Sequence, residues 1–239
     1  MSLSIFKQHS KIEAFFSQKP LVAESYIPQL CREAEATGFV VKAGLVHGKR
    51  IAAIDESHLN GDGPGFERDG NFIKVPETDG LITKLPDVAL VTTHGDCIPV
   101  FAYDPVKNVI GVAHAGWKGT KLGIAGELVN EMARVYGCNP SDIEAFVGPG
   151  IGACCFEVRD DVRRAFSDDL PWFSGYIRQK DEEHSLIDLK GINRRFLELA
   201  GCTKIQVSPD CTVCRENLYW SYRRGGDMQR MISYMRIKG

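Results

Sequence analysis

The stretch that most restricts what this chain can fold into is residues 88–115, VALVTTHGDCIPVFAYDPVKNVIGVAHA. Two runs rich in β-branched and aromatic residues flank DPVKN, a segment with turn chemistry, which predicts an antiparallel hairpin. With the turn centred between Pro105 and Val106, Phe101 faces Ile110 and Cys97 faces His114. Directly opposite residues point to one face with Cβ atoms about 4.5–5.5 Å apart. One metal ion could touch both, since Zn–S is about 2.3 Å and Zn–N about 2.0–2.1 Å. A slip of one residue would send the two side chains to opposite faces.

Beyond Thr120 the period changes. Leu122, Ala125, Leu128, Val129, Met132, Ala133 and Tyr136 recur at three and four and stop at Gly137, which predicts a helix. Its N-terminus would follow HAGWKGT, so its free N–H groups would lie beside His114 and Lys118 and welcome an anion. Residues 20–38 read as another helix, and residues 39–55 as strands broken by Gly44 and Gly48. The glycine-rich loop LNGDGPGFERDG reads as irregular structure, mobile or a lid. IEAFVGPGIGACCFEV reads as a strand and turn leading into a helix with Val158, Val162 and Phe166, and residues 188–201 as a helix capped by Asp188 and stopped by Gly201. KIQVSPDCTVC and MISYMRIKG supply late strands. No linker, repeat or low-complexity tract divides the 239 residues, so they read as one domain.

Charge excludes one class of partner. A net charge of −2 leaves no basic excess to track a phosphate backbone, so nucleic acid is not expected. The N-terminal residues lack a signal peptide's apolar core, and no apolar run approaches the roughly 20 residues that span a bilayer. The expectation is a cytoplasmic protein without a membrane partner. Its eight cysteines then read as buried thiols, metal ligands or a nucleophile rather than disulfides.

The segment GVAHAGWKGT, residues 111–120, has the G-x4-G spacing of a phosphate loop, but Trp117 stands where that loop needs lysine and Lys118 comes one residue late. What it carries instead is His114, a common metal ligand. THGDCIPV places His94, Asp96 and Cys97 at a glycine turn after an apolar strand, and LVHGKR offers His47 at the end of another apolar run. A His47, Cys97, His114 set with an open fourth position suits catalytic zinc. The same spacing also suits a Cys97 thiolate with His114 as general base, hydrolysing an amide or ester. Cys211 and Cys214 form a CxxC, and with Cys154 and Cys155 they could be forced into a four-cysteine zinc site. Adjacent cysteines are awkward tetrahedral ligands, so buried thiols are the default. Arg223 and Arg224 in YWSYRRGG read either as a solvated strand end or as a fork for phosphate or carboxylate. Trp117 reads as a packing anchor.

Taken together and in order, HGDCIPVFAYDP, GVAHAGWKGT, VGPGIGACCFEV and CTVCRENLYWSYRRGG resemble the YfiH-like family, labelled laccase-domain or polyphenol oxidase and also read as purine nucleoside phosphorylases. The resemblance spans residues 45–235 and puts the family's metal ligands on His47, Cys97 and His114. It implies a mixed α/β (α+β) fold: one domain over residues 1–239, a sandwich of mixed β-sheets with flanking helices. It implies a zinc enzyme that phosphorolyses adenosine, inosine and S-methyl-5'-thioadenosine, with adenosine deamination as a further activity; the expected partners are the nucleoside and phosphate, with the chain as monomer or homodimer. The family's first hairpin looks shortened or missing here, and SYIPQLCREAEATGF lacks its Asn–Arg pair.

On this reading the metal polarises a water or substrate oxygen, and phosphate sits at the helix start after Gly119 with Lys118 and one of Arg223 and Arg224. Asp96 is either an orienting group or a proton carrier. The alternatives are a copper-loaded polyphenol oxidase and a metal-free Cys–His hydrolase or amidase, peptidoglycan-precursor editing included. A multicopper cluster wants His-x-His pairs, and none of the six histidines is so arranged; copper could still enter the single site.

Overall fold

A computed structural model describes residues 2–34, 38–60, 65–167, 172–225 and 228–239. Two sheets packed face to face form the centre. One runs in the order Ser2–Ser4, Ile12–Ser17, Met231–Ile237, Val88–His94, Phe39–Gly44, Phe72–Pro76, Glu67–Asp69. The other runs Lys204–Val207, Glu144–Val147, Ile98–Asp104, Val109–Ala115, Gly80–Thr83, Ile51–Ala53. Phe16, Leu90 and Met235 from the first meet Phe101, Ile110 and Val112 from the second in one apolar cluster. Helix Ala23–Ala34 covers the outer face of the first sheet through Leu30 and Ala34. Helices Ile124–Tyr136 and Leu189–Leu199 cover the second. The result is the expected sandwich of mixed sheets flanked by helices.

Strands Ile98–Asp104 and Val109–Ala115 are buried along their whole length, being covered by the partner sheet on one side and by helix on the other. That is why they read as continuous apolar runs rather than alternating ones. They form the expected hairpin, but two residues out of the expected register. His114 faces Pro99 and Phe101 faces Val112. The turn is longer than assumed: the Asp104 carboxylate accepts the N–H groups of Val106 and Lys107, at 2.8 and 3.0 Å, and Asn108 sits at φ +52°. A shift of two preserves the face, since side chains alternate with a period of two. Cys97 and His114 therefore stay on one side as diagonal neighbours.

The helical run after the hairpin is split. A five-residue helix, Trp117–Lys121, begins directly after Gly116, and the long helix begins only at Ile124. Gly123 between them sits at φ +78°, and a Cβ there would come 2.9 Å from the Phe196 ring, so only glycine serves. Leu128, Val129 and Met132 are fully buried, each contributing about 1.5–3 kcal/mol. Gly137 at φ +64° ends the helix, its N–H donating to Ala133 at 3.0 Å.

Other expectations are corrected. The first hairpin is not missing: a short one pairs Ser2–Ser4 with residues 15–17. The glycine-rich loop, residues 59–70, contains a short strand, Glu67–Asp69, paired with Phe72–Pro76; its residues 61–64 lie outside the described residues. Val158 belongs to strand Glu157–Arg159 and precedes helix Asp160–Ser167. No helix among the described residues is long and apolar enough to cross a membrane.

Candidate metal centre

His114 stands near the end of its strand, and its surroundings explain its orientation. Asp79, at the entrance to strand Gly80–Thr83, is fully buried, and its Oδ1 lies 3.0 Å from His114 Nδ1. An ionised carboxylate only accepts, so Nδ1 carries the hydrogen and Nε2 is the atom left available to a metal. The same carboxylate accepts the N–H groups of Val46 (3.2 Å), His47 (3.0 Å) and Gly48 (2.7 Å). Those bonds curl the loop so tightly that His47 adopts φ +61°. One buried carboxylate thus fixes two histidines.

Cys97 follows a turn in which Asp96 sits at φ +84°. Ligand atoms of His47, Cys97 and His114 lie within 4.8 Å of one another. The backbone leaves room for them at Gly116. A Cβ there would stand 2.8 Å from His47 Cδ2, 3.2 Å from Cys97 Sγ and 3.6 Å from His114 Cε1. Two imidazoles and a thiolate converging from two loops and a strand end fit a zinc or copper ion.

The electrostatics of the set are mutual. Burial opposes ionisation of the Cys97 thiol, but the charge of His114 and hydrogen bonds from both histidines outweigh it and bring the thiol down to about 6. Burial likewise opposes charging of His114, and the neighbouring Cys97 and Asp79 outweigh it, raising the imidazole to about 9. The metal-free pair is therefore held as thiolate and imidazolium. His94 behaves differently. It is fully buried, donates from Nδ1 to the Cys97 carbonyl at 3.2 Å and pairs with Thr92 Oγ1 at 2.8 Å. Burial and the charge of His114 hold its pKa well below 6.5, so it stays neutral and props the Cys97 backbone.

His47, Cys97 and His114 line a cavity of about 450 Å³, whose walls include Leu45, Thr93, Trp117, Phe156 and Tyr222. A larger cleft of about 650 Å³ near helix Ala23–Ala34 shares Thr93 and Arg230 with it, and it lacks the ligand set. Chemistry rather than size marks the smaller one as the candidate site.

The remaining expected site residues divide. Asp96 lines the cavity, but its carboxylate is occupied by Thr212 Oγ1 (2.6 Å), Ser221 Oγ (3.0 Å) and the Arg223 N–H (2.7 Å). Arg223 lines the cavity with its guanidinium tethered to the Glu157 carbonyl at 2.9 Å. Arg224 is turned away, donating to the carbonyls of Thr212, Val213 and Tyr219 at 3.0, 2.9 and 2.8 Å. Lys118 is exposed, with its ammonium 5.6 Å over the Trp117 ring, and lies outside the cavity lining. The expected helix start after Gly119 is not formed either, because the helix there begins at Trp117. Sequence reasoning missed Asp79 and Arg230. An acidic residue at the head of the apolar strand in ETDGLIT was the available signal for Asp79, because an acid buried there needs partners. Arg230 stands before a late strand and carries no local signature.

Comparison with known proteins gives the same frame. Purine nucleoside phosphorylase YlmD of Bacillus subtilis is 40% identical over 165 residues, 67% of this chain and 59% of that protein. The matched stretch thus spans about three-fifths of that relative's length. Adenosine deaminase RL5, from an unknown prokaryotic organism, is 32% identical over 75% of this chain and 68% of its own. The crystal structure of the hypothetical protein YfiH of Bacillus licheniformis superposes with a TM-score of 0.84 at 33% identity, covering 99% of this chain and 96% of that one. The profile described as multi-copper polyphenol oxidoreductase laccase matches residues 21–238. On these grounds the chain belongs to that family, the YfiH-like laccase-domain proteins.

Proposed function

We propose that this chain is a zinc-dependent enzyme that phosphorolyses adenosine, inosine and S-methyl-5'-thioadenosine and deaminates adenosine. The observation that carries the reading is the convergence of His47, Cys97 and His114 in a nucleoside-sized cavity that Arg223 and Arg230 also line. Relatives named purine nucleoside phosphorylase and adenosine deaminase support the substrate class. When bound, zinc supplies Lewis acidity toward a substrate oxygen or water.

The chain's own residues do the rest. Trp117, Phe156 and Tyr222 offer flat apolar surface to a purine. Arg223 and Arg230 supply the positive charge that holds phosphate. In phosphorolysis a phosphate oxygen forms a bond to the anomeric carbon while the bond from that carbon to the purine nitrogen breaks. The purine leaves with the electron pair and takes up a proton, and the sugar becomes a 1-phosphate ester. Asp96 acts as a positioning residue, tying the loop of Cys97 to Thr212, Ser221 and Arg223. Lys118 and Arg224 have no contact role in this scheme.

One observation favours a second reading. The lowered Cys97 thiol beside a raised His114 is the arrangement of a Cys–His hydrolase. Incubating metal-defined protein with adenosine and phosphate separates the two. The proposal expects adenine with ribose 1-phosphate, and inosine from the deaminase activity, both dependent on zinc. Protein that forms neither with zinc bound, or that works metal-free and is silenced by alkylating Cys97, contradicts it.

A further inference from the structure

Strands Glu144–Val147 and Lys204–Val207 run parallel, so the loops that follow them leave from the same end of the sheet. They are locked together where Gly150 bridges Cys211 and the Thr212 N–H donates to Gly150 at 3.1 Å. At this junction the sulfurs of Cys154, Cys155, Cys211 and Cys214 all lie within 4.8 Å of one another. The adjacent cysteines, awkward ligands on paper, are brought to one side by a tight turn. In it the N–H groups of Cys155 and Phe156 both donate to the Gly152 carbonyl at 2.9 Å.

Three details point to a ligand rather than to packing. Cys214 Sγ lies 3.6 Å from Cys154 Sγ and 3.5 Å from Cys155 Sγ. A disulfide requires about 2.05 Å, whereas the edge of a tetrahedron built on Zn–S bonds of about 2.3 Å is about 3.8 Å. The Gly152 N–H donates to Cys211 Sγ at 3.2 Å, and a Cβ on Gly152 would stand 3.2 Å from Cys154 Sγ. Positive charge is also in place: buried Lys190 anchors the same loop through the carbonyls of Ser208 and Asp210, each at 2.9 Å, and Arg224 holds Thr212 and Val213. Cys154 and Cys214 are exposed, so an ion can enter from solvent.

We propose that Cys154, Cys155, Cys211 and Cys214 form a second, structural zinc site that clamps these two loops together behind the cavity wall. Four sulfurs with no open position make a closed site, unlike the His47, Cys97, His114 set. What it braces reaches the cavity directly, because Thr212 holds Asp96 and the Ile151 N–H donates to the Asp96 carbonyl at 2.8 Å. The inference does not depend on which nucleoside reaction the cavity performs.

The test begins with metal content. Wild-type protein reconstituted with zinc and desalted should hold about two equivalents, and Cys97→Ser about one. Cobalt-loaded Cys97→Ser should show intense sulfur-to-cobalt charge-transfer absorption. Adding Cys154→Ser and Cys214→Ser, both at exposed positions, should abolish that band and the remaining equivalent while circular dichroism reports an intact fold. X-ray absorption at the zinc edge of the wild type needs no variant. Its shell should be dominated by sulfur at about 2.3 Å, because both sites together present five cysteines and two histidines. A nitrogen-dominated shell, a folded Cys97→Ser protein without metal, or a disulfide among the four cysteines in purified protein would overturn the proposal.

Discussion

Asp79→Asn is the most informative single change, because it keeps the shape of the side chain and alters only what it can accept. Each carboxylate oxygen accepts two N–H donors: Oδ1 from His47 and His114, Oδ2 from Val46 and Gly48. In asparagine one oxygen becomes an NH2 group, so whichever way the amide lies, two donors face a donor. Hydrogen bonds to a charged acceptor contribute about 1.5–3 kcal/mol each, which sets the loss at about 3–6 kcal/mol before relaxation. Even about 3 kcal/mol would lower the melting temperature of a chain this long by roughly 6–12 °C. One amide orientation frees the His114 ring and the other frees the loop carrying His47. Either way a ligand is misplaced, and zinc affinity should fall about 10–100-fold. Burial pushes the Asp79 carboxyl up, but its bonds to His114, Gly48 and Val46 outweigh this and leave it below 3.8. Its stabilisation is therefore complete above the unfolded value and lost as pH falls through the folded one, an acid-dependent part that the asparagine variant lacks. Competition with a chromophoric chelator and thermal melting of the metal-free protein are the assays. Wild-type zinc affinity and melting temperature in Asp79→Asn would refute the claim that this carboxylate orients both histidines.

Gly116→Ala should fold, since φ −66° suits alanine, yet lose most of its zinc at the first site because the new Cβ crowds His47 and Cys97; zinc retained at wild-type affinity would show that the backbone approach is irrelevant. In metal-stripped protein, iodoacetamide should modify Cys97 with a midpoint near pH 6 rather than near 9, the rate falling as pH drops through that value; a midpoint near 9 on peptide mapping would exclude the thiolate–imidazolium pair. Arg230→Ala should raise the KM for phosphate about ten- to a hundredfold, more than the KM for nucleoside, and steady-state kinetics showing the opposite order would move phosphate elsewhere.

The grouping of His47, Cys97 and His114 was legible because these candidate ligands sit at the ends of apolar runs, where strands deliver side chains to a rim. The hairpin face survived a register error because the error was even: an Asx turn at Asp104 added length without changing parity. Local pattern failed where distant packing decided. Gly123 breaks a helix whose apolar period runs on, for the sake of the Phe196 ring. Arg224 and Arg223 are chain neighbours, yet one is absorbed by three loop carbonyls and the other lines the cavity. No spacing rule announces that Cys154 and Cys155 meet Cys211 and Cys214, because their meeting depends on two parallel strands ending at the same edge.

Anomalous diffraction at the zinc edge from crystals of the zinc-loaded wild type tests the central claim most directly. The account predicts a peak in the cavity bonded to His47 and His114 nitrogens at about 2.0–2.1 Å and to Cys97 sulfur at about 2.3 Å. No peak there, or one that leaves any of the three unbonded, would contradict it.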